Sequence, residues 1–230
     1  MILESGMDKA IIGLSGGIDS TVVAYLTVKA IGKENVIGIR LPYNNSGLLD
    51  SGLIVEKLGI KTKVIFINEI VDSYIGEGND KLRIGNFMAR IRMCILYDKA
   101  KENNALVIGT TNKTEMELGY FTKYGDGGVD IEPIADLYKT EIFELAKHLG
   151  IPDKIINKTP SADLWEGQTD EDELGMEYEY IDKMLGMENI KNINETPDDD
   201  DKNKILSLIK NNRHKTMLPP KCIIDTEKYI

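Results

Sequence analysis

The sequence predicts an α/β fold, an open parallel sheet with helices on both faces, forming one domain over residues 1–230. Three observations predict it. Short β-branched runs alternate with helical patterns through the first third of the chain, as strands and crossover helices of a parallel sheet do. A glycine pair, Gly16-Gly17, falls where the first strand pattern gives way to the first helical one. A chain of 230 residues also buries one sizeable core and is too short for two large catalytic domains.

Residues 9–14 read as the first strand and 20–31 as the helix that the glycine turn opens. A second strand is expected at 36–41, then a turn around Pro42 to Gly47 and a helix ending at Leu58, then a third strand at 63–67. Residues 80–103 form a long amphipathic pattern with Ile84, Phe87, Met88, Ile91 and Ile95 on one face, and Cys94 beside them reads as a small core residue. The fourth strand is expected at 105–109. A glycine-rich and polar stretch, 110–130, then reads as loop with one helix near 113–118. Further helices are expected at 139–149, 176–185 and 201–211, with a mobile connection at 159–172. Right-handed crossovers place the strands side by side and leave a ligand crevice at their carboxyl ends.

Composition narrows the function. Acidic residues outnumber basic ones by 38 to 28, so the average surface repels polyanions and nucleic acid is not the expected partner. No apolar run has the length of a membrane span, and residues 1–7 lack the regions of a signal peptide, so a cytoplasmic setting is expected. The two cysteines, Cys94 and Cys222, are far apart and argue against a zinc site or a disulfide framework. The acidic run from Asp198 to Asp201 reads as a solvated helix start rather than a metal cluster, because consecutive acids point in different directions.

The chemistry is concentrated in Ser15-Gly16-Gly17-Ile18-Asp19-Ser20, between strand and helix. Adjacent glycines let successive backbone N–H groups converge on one anion, and the helix N-terminus adds positive potential, so the segment is built for phosphate. It lacks the Gly-Lys-Ser/Thr ending of a Walker loop and the spacing of a dinucleotide fingerprint.

This hexapeptide resembles the pyrophosphate loop of the ATP-pyrophosphatases, whose fold is of the adenine-nucleotide alpha-hydrolase type. Further motifs are similar to the ammonia-dependent NAD synthetases within that group: Gly109-Thr110-Thr111-Asn112-Lys113-Thr114-Glu115, then Gly119-Tyr120-Phe121-Thr122-Lys123-Tyr124-Gly125-Asp126-Gly127-Gly128. Pro160-Ser161-Ala162-Asp163-Leu164, Gln168-Thr169-Asp170-Glu171 and His214-Lys215 follow in the same order, so the resemblance runs from about Gly13 to Lys215.

The resemblance implies ATP contacts at Gly13, Leu14, Ser15, Gly16, Gly17, Ile18, Asp19, Ser20, Thr110, Lys139 and Ser161, and a Mg2+ cofactor held by Asp19 and Glu115. It implies that Arg90, Lys123, Asp130, His214 and Lys215 hold deamido-NAD, that Asp126 and Lys139 are catalytic, and that the unit is a homodimer. The implied reaction is ATP-dependent amidation of deamido-NAD by ammonia through an acyl-adenylate, releasing AMP and pyrophosphate. No amidase segment accompanies the domain, so free ammonia is the expected nitrogen donor. Taken singly, Glu115 also reads as a solvated helix residue, Arg90 as a packing partner on its helix, Lys139 as an ordinary surface ion pair and His214 as a surface histidine. A related enzyme acting on another nucleotide or on tRNA, and an ATP-binding regulatory module of the same fold, are the competing readings. Ile18 stands where the resembling loops often carry glutamine, 44–47 departs from the group's pattern, and Thr216 stands where a basic residue is common.

Overall fold

A computed structural model of the chain describes residues 2–45, 47–75, 80–161, 165, 167–186 and 199–222. Its strands are β1 (Lys9–Gly13), β2 (Val36–Arg40), β3 (Lys61–Val64) and β4 (Ala105–Ile108), all parallel, in the order β3-β2-β1-β4. The central strand shows why both faces must be covered. Ala10 and Ile12 of β1 enter one apolar cluster and Ile11 enters the other, each fully buried. The first cluster is closed by α1 (Ile18–Ile31) and α6 (Lys139–His148), through Val22, Val23, Ile142 and Ala146. The second is closed by α3 (Asn68–Ile75) and α4 (Lys81–Asn103), through Val71, Met88 and Ala100.

Helix α2 (Leu48–Leu58) covers β2, and the short α7 (Asp153–Ile156) extends the α6 layer. A third cluster, away from the sheet, joins α5 (Lys113–Leu118), α8 (Asp170–Leu174), α9 (Tyr178–Leu185) and α10 (Asp199–Asn212), through Leu118, Leu174, Ile181 and Ile205. The expected acidic helix start is found in α10, which begins at Asp199; Asp198 lies outside the described residues. No helix among the described residues is long and apolar enough to cross a membrane.

Two expectations are corrected, and one helix is added. The third strand pairs over Lys61–Val64 rather than 63–67, because an edge strand tolerates the exposed Lys61, Thr62 and Lys63. The bonding nonetheless continues through Ile65 N–H to the Arg40 carbonyl at 2.9 Å and Ile67 N–H to the Pro42 carbonyl at 3.1 Å. Helix α3 follows at once, at Asn68. Cys94 is exposed instead of buried. The buried arc of α4 runs through Gly85, Met88, Ala89 and Ala100, and at about 100° per residue Cys94 falls on the far side.

The C-terminal part docks where α5 ends. Gly119 adopts φ +64° as the left-handed cap, the Asn212 amide donates to the Leu118 carbonyl at 3.0 Å, and a methyl group on Gly119 would meet Asn212 Cβ at 2.3 Å. Gly119→Ala combines positive-φ strain with a side-chain clash and should destabilise the fold by about 1–3 kcal/mol. Urea unfolding monitored by circular dichroism measures this; an unchanged midpoint would show that α10 does not pack as described.

Candidate active site

The glycine turn is shaped by its own short side chains. Leu14 N–H donates to the Ile39 carbonyl at 2.9 Å, ending β1. Ser15 Oγ accepts from Gly17 N–H at 3.1 Å and lies 3.1 Å from Ser20 Oγ, and Ser20 Oγ donates to the Gly17 carbonyl at 3.0 Å. Gly16 has φ +85°, and a Cβ there would lie 2.9 Å from both Asp50 Cβ and the Ser51 nitrogen, so only glycine fits between the turn and α2. With Gly17 as the N-cap of α1, the first helical turn, Ile18 to Ser20, lines a cleft of about 750 Å3 at the carboxyl ends of the strands, and the N–H groups of such a turn have no partner within their helix. That volume suits a nucleotide-sized ligand.

At the cleft's inner wall lies a buried cluster of charge. Lys139, 2% exposed, is the first residue of α6, and its Nζ lies 2.6 Å from Asp19 Oδ2 and 3.7 Å from Glu115 Oε1. Asp19 is fixed from its other side by Asn112, whose amide donates to Oδ1 at 3.0 Å. Asn112 is in turn locked to Glu115 by a reciprocal capping box at the start of α5. Glu115 is therefore a capping residue with its second oxygen turned toward Lys139, not a solvated helix residue.

Burial, then the neighbouring Asp19 charge, raises the Glu115 pKa, against the opposing pull of Lys139. Burial alone would lower that of Lys139, but Asp19, Glu115 and Asp170 more than reverse it, so the ammonium stays charged. Tyr178 donates to Asp170 at 3.0 Å, and its ring centroid lies 5.1 Å from Lys139 Nζ. Asp170, 4% exposed, and Tyr178 belong to this site although the sequence reading gave them no role.

The other expected residues divide. Gly13, Leu14, Ser15, Gly17, Ile18, Asp19, Ser20, Thr110, Glu115, Asp126, Lys139, Ser161 and Lys215 line the cleft, and Gly16 stands behind its wall. Asp126 accepts from Thr122 N–H at 2.9 Å; it is open to the cleft by area, yet enough protein surrounds the carboxyl that burial raises its pKa. Lys215 donates to the Gly119 and Phe121 carbonyls at 2.7 and 2.9 Å.

Arg90, Lys123, Asp130 and His214 do not line the cleft. Arg90 is exposed on α4, Lys123 donates to the carbonyl of the exposed His214, and Asp130 accepts from Val107 N–H at 2.8 Å and the Tyr97 hydroxyl at 3.2 Å. Among 159–172, residues 162–164 and 166 lie outside the described residues, so Ala162, Asp163 and Leu164 do too, as does Ser46 within 44–47; Thr159, Pro160, Trp165, Gly167 and Gln168 line the cleft.

One carboxyl beneath the cleft was missed in the sequence. Glu132 accepts from Thr111 N–H at 3.1 Å through Oε2, while Oε1 is buried with no hydrogen-bond partner, packed so closely that a Cβ on Gly109 would strike it at 2.5 Å. Burial pushes its pKa from 4.5 to about 7. The folded chain thus holds a proton that the unfolded chain has released, so this stabilisation is full below about pH 4.5 and is lost as pH rises through about 7. Relative to Glu132→Gln, the wild type should lose about 1–3 kcal/mol of stability between those limits, measured by urea unfolding across pH. A pH-independent difference would place the carboxyl in water.

A model of the NAD synthase family matches residues 1–219. The NH(3)-dependent NAD(+) synthetase of Pyrococcus horikoshii is 50% identical over 188 residues, 80% of this chain and 73% of that protein. The enzyme of the same name from Methanosarcina acetivorans is 45% identical over 232 residues, covering 94% of this chain and 91% of that one. Among solved structures, NMN synthetase from Francisella tularensis superposes with a TM-score of 0.87 at 36% identity, covering 96% of this chain and 92% of that chain. The NH3-dependent NAD synthetase from Campylobacter jejuni superposes with a TM-score of 0.81 at 34% identity and the same coverage. The chain belongs to the NAD synthase family.

Proposed function

We propose that this chain is a ligase that amidates deamido-NAD with ammonia, using ATP and passing through an acyl-adenylate. The observation that carries the reading is the shared cleft: an anion-binding glycine turn and the buried Asp19–Lys139–Glu115 cluster face the same space. A carboxylate does not react with ammonia directly, because its oxygen is a poor leaving group. In the first step a carboxylate oxygen of the acceptor forms a bond to the α-phosphorus of ATP and the bond to pyrophosphate breaks. In the second, ammonia bonds to the acyl carbon and AMP leaves with that oxygen.

Residues 15–20 hold the departing β- and γ-phosphates, and Lys139 offsets the charge that grows on them. Asp126 stands at the cleft to take the proton that the attacking nitrogen sheds. Asp19 and Glu115 would hold the Mg2+ ion: both carboxylates line the cleft and both contact Lys139, and among the described residues no group of three acidic, histidine or cysteine side chains forms a protein cage. Such a pair leaves the remaining positions to phosphate oxygens and water, as Mg2+ with a nucleotide requires. The ion would supply charge neutralisation for the triphosphate.

Product analysis with ATP, Mg2+, ammonium and deamido-NAD should give NAD, AMP and pyrophosphate in equal amounts. Lys139→Ala should lower turnover about a hundredfold or more while NAD remains the product. ADP and phosphate as products would remove the adenylation reading, and near-normal turnover of Lys139→Ala would return that residue to a structural role. A second acceptor belongs in the same assay. Because NMN synthetase from Francisella tularensis shares the fold, the shorter nicotinate mononucleotide is the alternative substrate. A higher kcat/KM for the mononucleotide would favour it.

A cytoplasmic homodimer is the proposed working form. On α4, Ile84, Phe87, Ile91 and Ile95 are only partly buried, and Phe66, Ile70 and Tyr74 beside them are 49%, 44% and 71% exposed, so this face remains apolar and uncovered in one chain. The exposed Arg90 on the same helix is then placed to serve a site shared with a second copy. Mixing the inactive variants Arg90→Ala and Lys139→Ala under subunit exchange should restore part of the activity if each defect falls on a different chain of one site. No recovery after demonstrated exchange would assign both residues to a site built from one chain.

A further inference from the structure

Resting on the ATP reading of the cleft, a second lysine enters the account. Asp50, in the first turn of α2, is shared by two ammonium groups: Lys154 Nζ lies 2.8 Å from Oδ1 and Lys158 Nζ lies 3.3 Å from Oδ2. Burial is the largest single effect on the Asp50 pKa and raises it, but the two lysines together outweigh it and lower the pKa, so the carboxylate is charged and the trio carries one net positive charge. That surplus stands beside the phosphate turn, since Gly16 packs so closely on Asp50 that a Cβ would meet it at 2.9 Å.

The two lysines are not equivalent. Lys154, on α7, is 62% exposed and does not line the cleft, whereas Lys158, 36% exposed, lines it together with Thr159, Pro160 and Ser161. Lys158 also makes the longer contact. Its departure would not strand a largely buried carboxylate, because Lys154 remains on the other oxygen; removing the only partner of such a group is what costs most.

We propose that Lys158 is a mobile phosphate-binding cation, which leaves Asp50 for the terminal phosphates of ATP while Lys154 keeps Asp50 neutralised. Asp50 then serves to park the lysine next to the turn when the cleft holds no triphosphate, limiting the conformational entropy lost on binding.

Calorimetric titration of the full chain with Mg-ATP and, separately, with AMP tests this without any acceptor present, so the result stands apart from whether the chain forms NAD. Lys158→Ala should weaken ATP about tenfold or more and leave AMP within about twofold, because AMP lacks the phosphates concerned. Lys158→Arg should retain most of the affinity, as another cation at the same place. Lys154→Ala should weaken ATP by a smaller factor, about threefold, since Asp50 then competes for Lys158, and adding Asp50→Asn should reverse that loss. Wild-type ATP affinity in Lys158→Ala, or an equal loss for ATP and AMP, would overturn the assignment.

Discussion

The contact on which the site's geometry depends is the Lys139 ammonium held between Asp19 and Glu115. Each of the three residues lies in the first turn of a different helix, α1, α5 or α6, so the cluster draws three helix N-termini to one point. Acids are favourable there and a lysine is not, because helix N-termini carry positive potential. Lys139 is tolerated at the start of α6 because two carboxylates meet its ammonium, and because Asp182 accepts from Thr140 N–H at 2.8 Å and so supplies negative charge at that helix end. Deleting Lys139 leaves Asp19 and Glu115 side by side without their counter-charge, a far larger cost than breaking a surface pair.

From that contact the helical layer beyond the sheet becomes part of the site. Thr114 of α5 accepts from Lys139 N–H at 2.9 Å and donates to Asp182 of α9. Tyr178, also on α9, donates to Asp170 at the start of α8, and the Tyr120 hydroxyl reaches both Asp170 and Glu173. Burial and the surrounding carboxylates raise the pKa of both tyrosines, which therefore stay protonated and donate. The chain runs from β1 through the phosphate turn to α9 without leaving hydrogen-bonded or charged partners. Residues 159–161 join the same frame, because Asp170 N–H donates to the Pro160 carbonyl at 3.1 Å.

Much of this was legible in the sequence because it rests on local signals. The β-branched runs gave β1, β2 and β4 within about two residues, and the glycine pair between strand and helix marked the tight turn that opens α1, where φ +85° at Gly16 excludes other residues. What was not legible depends on partners distant in the chain. Glu115 reads like any helix glutamate until Lys139 is brought beside it, and Asp170 and Glu132 gain their meaning only from Tyr178 and Thr111. Cys94 was misplaced because apolar residues on α4 extend around more of the helix than its buried arc, and β3 because an edge strand need not be apolar. Arg90 matches a substrate position by resemblance, yet on a single chain it stands away from the cleft lining, a separation that one sequence does not reveal.

The central claim is that this cleft activates a carboxylate by joining one of its oxygens to the α-phosphorus of ATP. Oxygen transfer reports on that bond directly. Deamido-NAD labelled with 18O in the nicotinate carboxylate, turned over with ATP and ammonium and analysed by mass spectrometry, should yield AMP carrying one 18O in its phosphate and pyrophosphate carrying none. Label in inorganic phosphate or pyrophosphate, with AMP unlabelled, would contradict the account.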